Sequence, residues 1–182
     1  HGLIGQIEQW YNMNKSNNLS EFKEALELMQ IPMFNTVYAD YDGNIYYLYN
    51  GLIPKRSTNH DWTDILPGDD SKLIWDEYYS YDELPQVVNP KTAYLQNCNS
   101  TPYRATVGNS NIIKTLPSTT GIETFQTNRA YRANELYGQN ESISRQDFYN
   151  YKYDTKYSEK SVMKYALDRF LSEVQTDDEL LN

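Results

Sequence analysis

A single cysteine, Cys98, and two histidines, His1 and His60, serve the whole 182-residue chain. One thiol excludes an internal disulfide and any cysteine-based zinc site, and two histidines are too few for a histidine metal cluster. No stretch approaches the ~20 consecutive apolar residues that a bilayer span requires, and the mean hydropathy is -0.78. Clustered basic residues are also missing. Sixteen Lys and Arg stand against 25 Asp and Glu, a formal net charge of -9, which argues against a surface built to displace counterions from nucleic acid. The eight glycines are scattered, and neither Gly-x-Gly-x-x-Gly nor Gly-Lys-Ser/Thr occurs to cradle a phosphate.

What the chain has in excess is tyrosine: 18, against five Phe and three Trp. Most of its aromatic bulk therefore carries a hydroxyl, which suits half-buried surfaces. Two readings follow: sheet and helix faces that rim a core, or a groove for carbohydrate or peptide. The length fits one core rather than two. The chain opens at His1 with neither an initiator Met nor a basic-then-apolar leader, and it reads as cut from something longer.

Leu3, Ile7 and Trp10 have helical spacing, followed by a polar break over residues 12–18. Asn18, with Glu21 three residues on, caps a second helix whose Leu19, Phe22, Leu26 and Met29 share one face until Ile31-Pro32 stops it. The period then changes. Residues 34–39 and 45–49 are β-rich runs around Asp40-Tyr41-Asp42-Gly43-Asn44, where Asp-Gly supplies the positive φ of a hairpin turn. Residues 51–90 read as loop, because Pro54, Pro67, Pro85 and Pro90 forbid regular ladders, with a short isolated strand over 72–75. A further strand is expected over 93–98, and residues 103–121 carry no periodicity. In the last third Asn128 caps a helix over 129–137 that Gly138 closes. Ser144 with Asp147 opens another through Tyr153, and Ser158 or Ser161 opens the last. That last helix has Val162, Ala166, Phe170 and Val174 on one face and frays at Asp177-Asp178-Glu179.

Little in this inventory supports catalysis by the commoner constellations. His60-Asp61 are sequence neighbours, which separates their side chains in an extended segment, and a surface histidine is the simpler reading. Cys98 has no basic residue close in sequence and reads as an inert thiol. Asp69-Asp70, Asp76-Glu77 and Asp82-Glu83 are adjacent pairs in loops and lack the facing geometry of a glycosidase. Asn99 is different: a fixed side-chain amide is an oxyanion donor when aimed at a reacting carbonyl.

The segment Ile31-Pro32-Met33-Phe34-Asn35-Thr36-Val37-Tyr38-Ala39-Asp40, then Asp42-Gly43-Asn44-Ile45 and Gly51 to Arg56, resembles the penicillin acylase family. That family, which includes acyl-homoserine lactone acylases, reads there as apolar-Asn-x-x-Tyr-Ala-Asp-x-x-Gly-Asn-Ile and Gly-x-x-Pro-x-Arg. Leu66-Pro67-Gly68, Leu84-Pro85-Gln86, Val88-Asn89-Pro90-Lys91 and Asn97-Cys98-Asn99-Ser100-Thr101-Pro102 are similar to the stations that follow, in order. Asn128-Arg129-Ala130 is similar to a later helix start.

This resemblance implies an α+β chain, part of the αββα fold of N-terminal-nucleophile hydrolases, with antiparallel strands in the first half and helices in the last third. Residues 1–31 are then helical, 32–102 hold the hairpin, loops and the oxyanion strand, and 103–182 are irregular and then helical. It further implies a periplasmic or secreted amidohydrolase matured by autocatalytic excision of a linker, whose N-terminal Ser attacks a linear amide with its own α-amino group as base. His1 is no such nucleophile, so the chain reads as an internal piece of the large chain, inactive alone. Its partners would be the small chain and the N-terminal part of the large chain. The substrate would be a small N-acyl compound: a β-lactam side chain, an acyl-homoserine lactone or a related amide. Asn99 falls on the family's oxyanion Asn, and Arg129 on an arginine that orients the site. No cofactor is implied. The structural calcium of some relatives is unsupported, since Trp62 follows His60-Asp61 and Ser110, not Asp, lies eleven residues past Asn99. The rival reading is a non-catalytic peptide- or glycan-binding module on the same scaffold.

Overall fold

A computed structural model describes residues 3–112 and 114–174. The fold is α+β, with strands in the first half and helices in the last third, and the chain divides into two compact units, His1–Phe125 and Gln126–Asn182. In order, the elements are α1 (Gln6–Lys15), α2 (Leu19–Glu27), β1 (Met33–Ala39), β2 (Ile45–Gly51), β3 (Gln86–Val88), α3 (Asn128–Gly138), α4 (Arg145–Lys152) and α5 (Val162–Glu173), joined by 3-10 turns.

The expected capping of α2 is present: Asn18 Oδ1 accepts the Glu21 N–H at 3.0 Å, and Glu21 Oε2 accepts the Asn17 N–H at 2.8 Å. The helix ends earlier than Pro32, because Met29 turns left-handed at φ 47°. α1 departs further from expectation. It runs through the supposed polar break to Lys15, and its buried residue is Gln9, while Ile7 is exposed. Tertiary hydrogen bonding overrides the apolar pattern here: Gln9 Oε1 accepts the N–H groups of both Gln30 and Ile31, at 2.6 and 2.9 Å.

The hairpin forms as its turn dictates. Asp40 Oδ1 accepts the Asn44 N–H at 2.8 Å, and Gly43 sits at φ 86°, where a Cβ would be strained. β1 and β2 pair antiparallel from Met33–Gly51 to Ala39–Ile45, and β3 adds antiparallel to the other edge of β2. The third strand escapes the sequence pattern because it is three residues long between two prolines. Asn89 fixes its register by accepting the Ile45 N–H on Oδ1 at 2.8 Å. Residues 72–75 are not a strand but follow a 3-10 turn at Ser71–Leu73. Residues 93–98 are not one either: Ala93 is left-handed at φ 54°, which breaks a ladder at its start.

Central in the sheet, β2 is buried on both faces and carries much of the tyrosine. On one face Tyr46 and Leu48 meet Leu26, with Phe22 stacked on Tyr38 at 4.7 Å. On the other lie Tyr47 and Tyr49: the Tyr47 hydroxyl donates to Asn35 on β1 and the Tyr49 hydroxyl to Glu123, at 2.7 and 3.2 Å. Most of the apolar core belongs to this first unit.

The second unit departs from the expectation of one core. Its buried residues include Ala130, Ser158 and Ser161, and a polar network ties it together. Arg132 donates to both carboxylate oxygens of Asp154, at 2.8 and 3.0 Å, and to Glu135 at 3.2 Å, while Glu135 also accepts the Ser158 hydroxyl. α3 is capped by Thr127, one residue before the expected Asn128, whose side chain instead accepts the Ser158 N–H at 2.9 Å. Ser144 and Asp147 form the expected capping box of α4, and Ser161 precedes α5. On α5 the apolar face is exposed, Val162, Phe170 and Leu171 included. The fraying expected at Asp177-Asp178-Glu179 lies outside the described residues.

Candidate active site

Asn99 is built into a turn fastened at both ends. Before it, the Gln96 N–H donates to the Ala105 carbonyl at 2.8 Å, and Gln96 Nε2 to the Arg104 carbonyl at 2.8 Å. After it, the Thr101 N–H donates to the Phe125 carbonyl at 3.2 Å. Gln96, Ser100 and Thr101 are all buried, whereas Asn99 between them is exposed.

Within the turn, the Asn97 side chain replaces a backbone partner: its Oδ1 accepts the Asn99 N–H at 3.2 Å. Asn99 itself adopts φ 53°, left-handed, a conformation that Asn tolerates better than most side chains do. A polar amide on the exposed tip of a turn locked from both sides is the arrangement a preorganised donor requires.

Beneath the turn, β2 supplies its floor. The Tyr47 hydroxyl, near the Asn97 side chain, donates to Asn35 Oδ1 at 2.7 Å. Tyr47 is fully buried. Burial pushes its hydroxyl well above the usual phenol range, with the nearby Tyr49 and Glu123 adding to the shift and Asn97 opposing it. It therefore stays protonated and remains a donor throughout the neutral range. Neither Asn97 nor Tyr47 is a site residue in the sequence reading. The available signals were the Asn-x-Asn spacing of a side-chain turn and Asn35, a strand residue of poor β-propensity.

Arg129 lies in the second unit, exposed in the first turn of α3. Asn99 belongs to the first. His60 packs edge-on against Trp62, and Cys98 is half-buried. Among the described residues no group of three or more His, Cys, Asp or Glu side chains is placed to hold a metal ion.

The Gly-x-x-Pro-x-Arg station has a structural outcome of its own. Arg56 places its guanidinium over the Trp75 ring at 4.5 Å and the Trp62 ring at 5.5 Å, and donates to the Thr119 carbonyl at 3.0 Å. It lines a cavity of about 220 Å³ with Tyr49, Ile53 and Ile122, of which Asn99 is not a wall.

Comparison with known proteins identifies the family. Penicillin G acylase of Escherichia coli is 29% identical over 101 residues, 56% of this chain and 12% of that protein. The acyl-homoserine lactone acylase PvdQ of Pseudomonas fluorescens (strain Pf0-1) is 26% identical over 118 residues, 54% of this chain and 15% of that protein. A solved thermostable penicillin G acylase from Alcaligenes faecalis superposes with a TM-score of 0.70 at 25% identity, over 97% of this chain and 30% of that one. The chain thus spans well under a third of the two curated relatives. The pattern of the penicillin amidase family matches residues 4–180, nearly the whole sequence, and the chain belongs to that family.

Proposed function

We propose that this chain is a segment of an acylase that hydrolyses linear amides, with Asn99 as an oxyanion donor. The observation that carries the reading is Asn99 itself: an exposed residue in a left-handed turn anchored at both ends, which the family resemblance matches to the oxyanion Asn. In the reaction, a nucleophile from another part of the polypeptide adds to the substrate carbonyl carbon, and the carbonyl π pair moves onto oxygen. Asn99 Nδ2–H donates to that oxygen where its charge is greatest. Collapse of the intermediate expels the amine, which takes a proton, and water then releases the carboxylic acid from the acyl-enzyme. Arg129 orients the substrate and the nucleophile end.

The remaining parts of the precursor, a small chain and the start of the large chain, supply the nucleophile and cover the exposed apolar faces. The same reading carries maturation by self-cleavage, a periplasmic or secreted location and a role in the turnover of N-acyl antibiotics or signals. The family membership and the small share of each relative that the chain spans support it.

The test is to purify the complete polypeptide, sequence the N-termini of all its chains, and assay penicillin G and an acyl-homoserine lactone. Amide hydrolysis by a form with a new N-terminal Ser, Thr or Cys is expected. Asn99→Ala should then lower kcat on the order of 10²–10³-fold, the usual cost of one lost oxyanion donor. Unchanged turnover would remove Asn99 from the site, and a mature product of these residues alone that binds but does not hydrolyse would favour the binding-module reading. Kinetics and maturation both untouched by Arg129→Ala would strike that residue from the site.

A further inference from the structure

We infer that the cavity lined by Arg56 is a binding site for a small carboxylate with an apolar tail, gripped by the Nε–Nη2 edge of the Arg56 guanidinium. The site does not include Asn99 and does not depend on the oxyanion reading; only its link to the acids that amide hydrolysis releases rests on that reading.

The guanidinium is held in place by the protein itself. Two indole rings carry its plane: its central carbon lies 4.5 Å from the centre of the Trp75 ring and 5.5 Å from that of Trp62, both within reach of cation–π attraction. Trp62 is in turn placed by its indole N–H, which donates to the Ser57 carbonyl at 2.8 Å. At one corner of Arg56, Nη1 donates to the Thr119 carbonyl at 3.0 Å. Thr119 is the middle residue of the 3-10 turn Ser118–Thr120, which Gly121 follows at φ 74°. The rings set the plane of the guanidinium, and the Thr119 bond sets its rotation within that plane.

The opposite edge is the one that can bind. Nε and Nη2 aim their N–H groups the same way, in the fork that matches a carboxylate. Nε is buried and finds no acceptor in the protein, and among the described residues no Asp or Glu forms an ion pair with Arg56. Glu123, next in sequence to the wall residue Ile122, is engaged by the Tyr49 hydroxyl at 3.2 Å. The second unit shows what this edge does when satisfied: Arg132 Nε and Nη2 donate to the two oxygens of Asp154 at 2.8 and 3.0 Å, while Nη1 turns to Glu135. A buried N–H without an acceptor costs its desolvation, and a carboxylate seated on the fork of Arg56 relieves that cost.

The remaining walls choose the rest of the ligand. The cavity holds about 220 Å³, and Ile53, Ile122 and Trp75 give it apolar surface. That is below the ~300–1,000 Å³ of pockets for drug-sized molecules, so the ligand is small. One cation against apolar walls selects one negative charge on an apolar body, and it repels an amine. A carboxylic acid of this kind is also what the proposed amide hydrolysis releases.

The test uses the complete acylase polypeptide and 4-bromobenzoate. Calorimetry should detect binding, and the anomalous signal of bromine in a soaked crystal should lie in the cavity, with the carboxylate on the Nε–Nη2 edge. 4-Bromobenzamide, similar in shape but uncharged, should bind at least about tenfold more weakly, and Arg56→Met should weaken binding of the acid about 10- to 100-fold, the scale of lost charged hydrogen bonds. Arg56→Lys keeps the charge, loses the fork and should still cost about tenfold; it decides the matter where the Met variant does not fold. Asn99→Ala, whatever its effect on turnover, should leave binding at this site and the bromine position unchanged, so the two readings fail separately. Equal affinity for acid and amide, unaltered affinity in either Arg56 variant, bromine found only outside the cavity, or binding at crystal concentration only would overturn the inference. So would an Asp or Glu from another segment of the complete polypeptide seated on that edge, the same chemistry supplied from within.

Discussion

Arg132 holds the second unit as a single charged hub. Its guanidinium grips both oxygens of Asp154 and reaches Glu135, and all three side chains are less than a quarter exposed. Replacing it with Met would leave two carboxylates facing each other in a partly dry site, at a cost on the order of 2 kcal/mol. Urea unfolding followed by helical ellipticity would measure the loss. The hydrogen bonds from Arg132 lower the Asp154 pKa below the usual carboxylate range. Below that range the unfolded chain takes up the proton more readily than the folded one. The contribution is therefore whole above the unfolded carboxylate pKa and fades as the pH falls through the folded one. Acid melts of wild type and Arg132→Met should converge as the pH falls. None of this network was legible in the sequence, because Arg132, Asp154 and Ser158 are distant along it and follow no spacing rule. Asn99 was legible only through its neighbours in an ordered series, and Asn97, two residues away, shows its part only in the turn, where its Oδ1 accepts the Asn99 N–H.

Elements were readable where local chemistry decides them and opaque where distant partners do. Asn18 with Glu21, Ser144 with Asp147, and Asp42-Gly43 each set their structure through atoms a few residues apart, and each appears as the pattern requires. Asn18→Ala should cost about 1 kcal/mol by removing the α2 cap. Gly43→Ala, with a side chain forced to φ 86°, should cost about as much. Both follow from denaturant midpoints. Leu26→Ala, which opens the centre of the first unit's core, should exceed either at roughly 2–5 kcal/mol. By contrast, β3 exists because β2 offers an edge, not because Gln86-Val87-Val88 insists on a strand. α1 buries Gln9 and exposes Ile7 because two backbone N–H groups at Gln30 and Ile31 lack partners of their own. No periodicity in the local sequence encodes either outcome.

At the scale of the whole molecule, the exposed apolar residues Ile7 and Phe34 in the first unit, and Val162, Phe170 and Leu171 in the second, are more than a free-standing surface ordinarily shows. If further segments cover these residues, as proposed, the 182-residue chain alone should bind an apolar fluorescent dye strongly and the longer polypeptide weakly; equal binding would contradict that coverage. The tyrosine excess resolved into core rather than groove at β2, where Tyr46, Tyr47 and Tyr49 are buried with every hydroxyl hydrogen-bonded. That burial makes the sheet a recorder of its own integrity in alkali. In the folded state the three phenols hold their protons far above the ordinary 10.0, chiefly through desolvation. Unfolded, they release them near that value. Stability contributed this way is complete below pH 10 and then falls by about 1.4 kcal/mol per pH unit for each hydroxyl. Phenolate absorbance should consequently rise in two stages, first a gradual one from the exposed rings and then an abrupt one, and the abrupt stage is the moment at which the floor under Asn99 gives way.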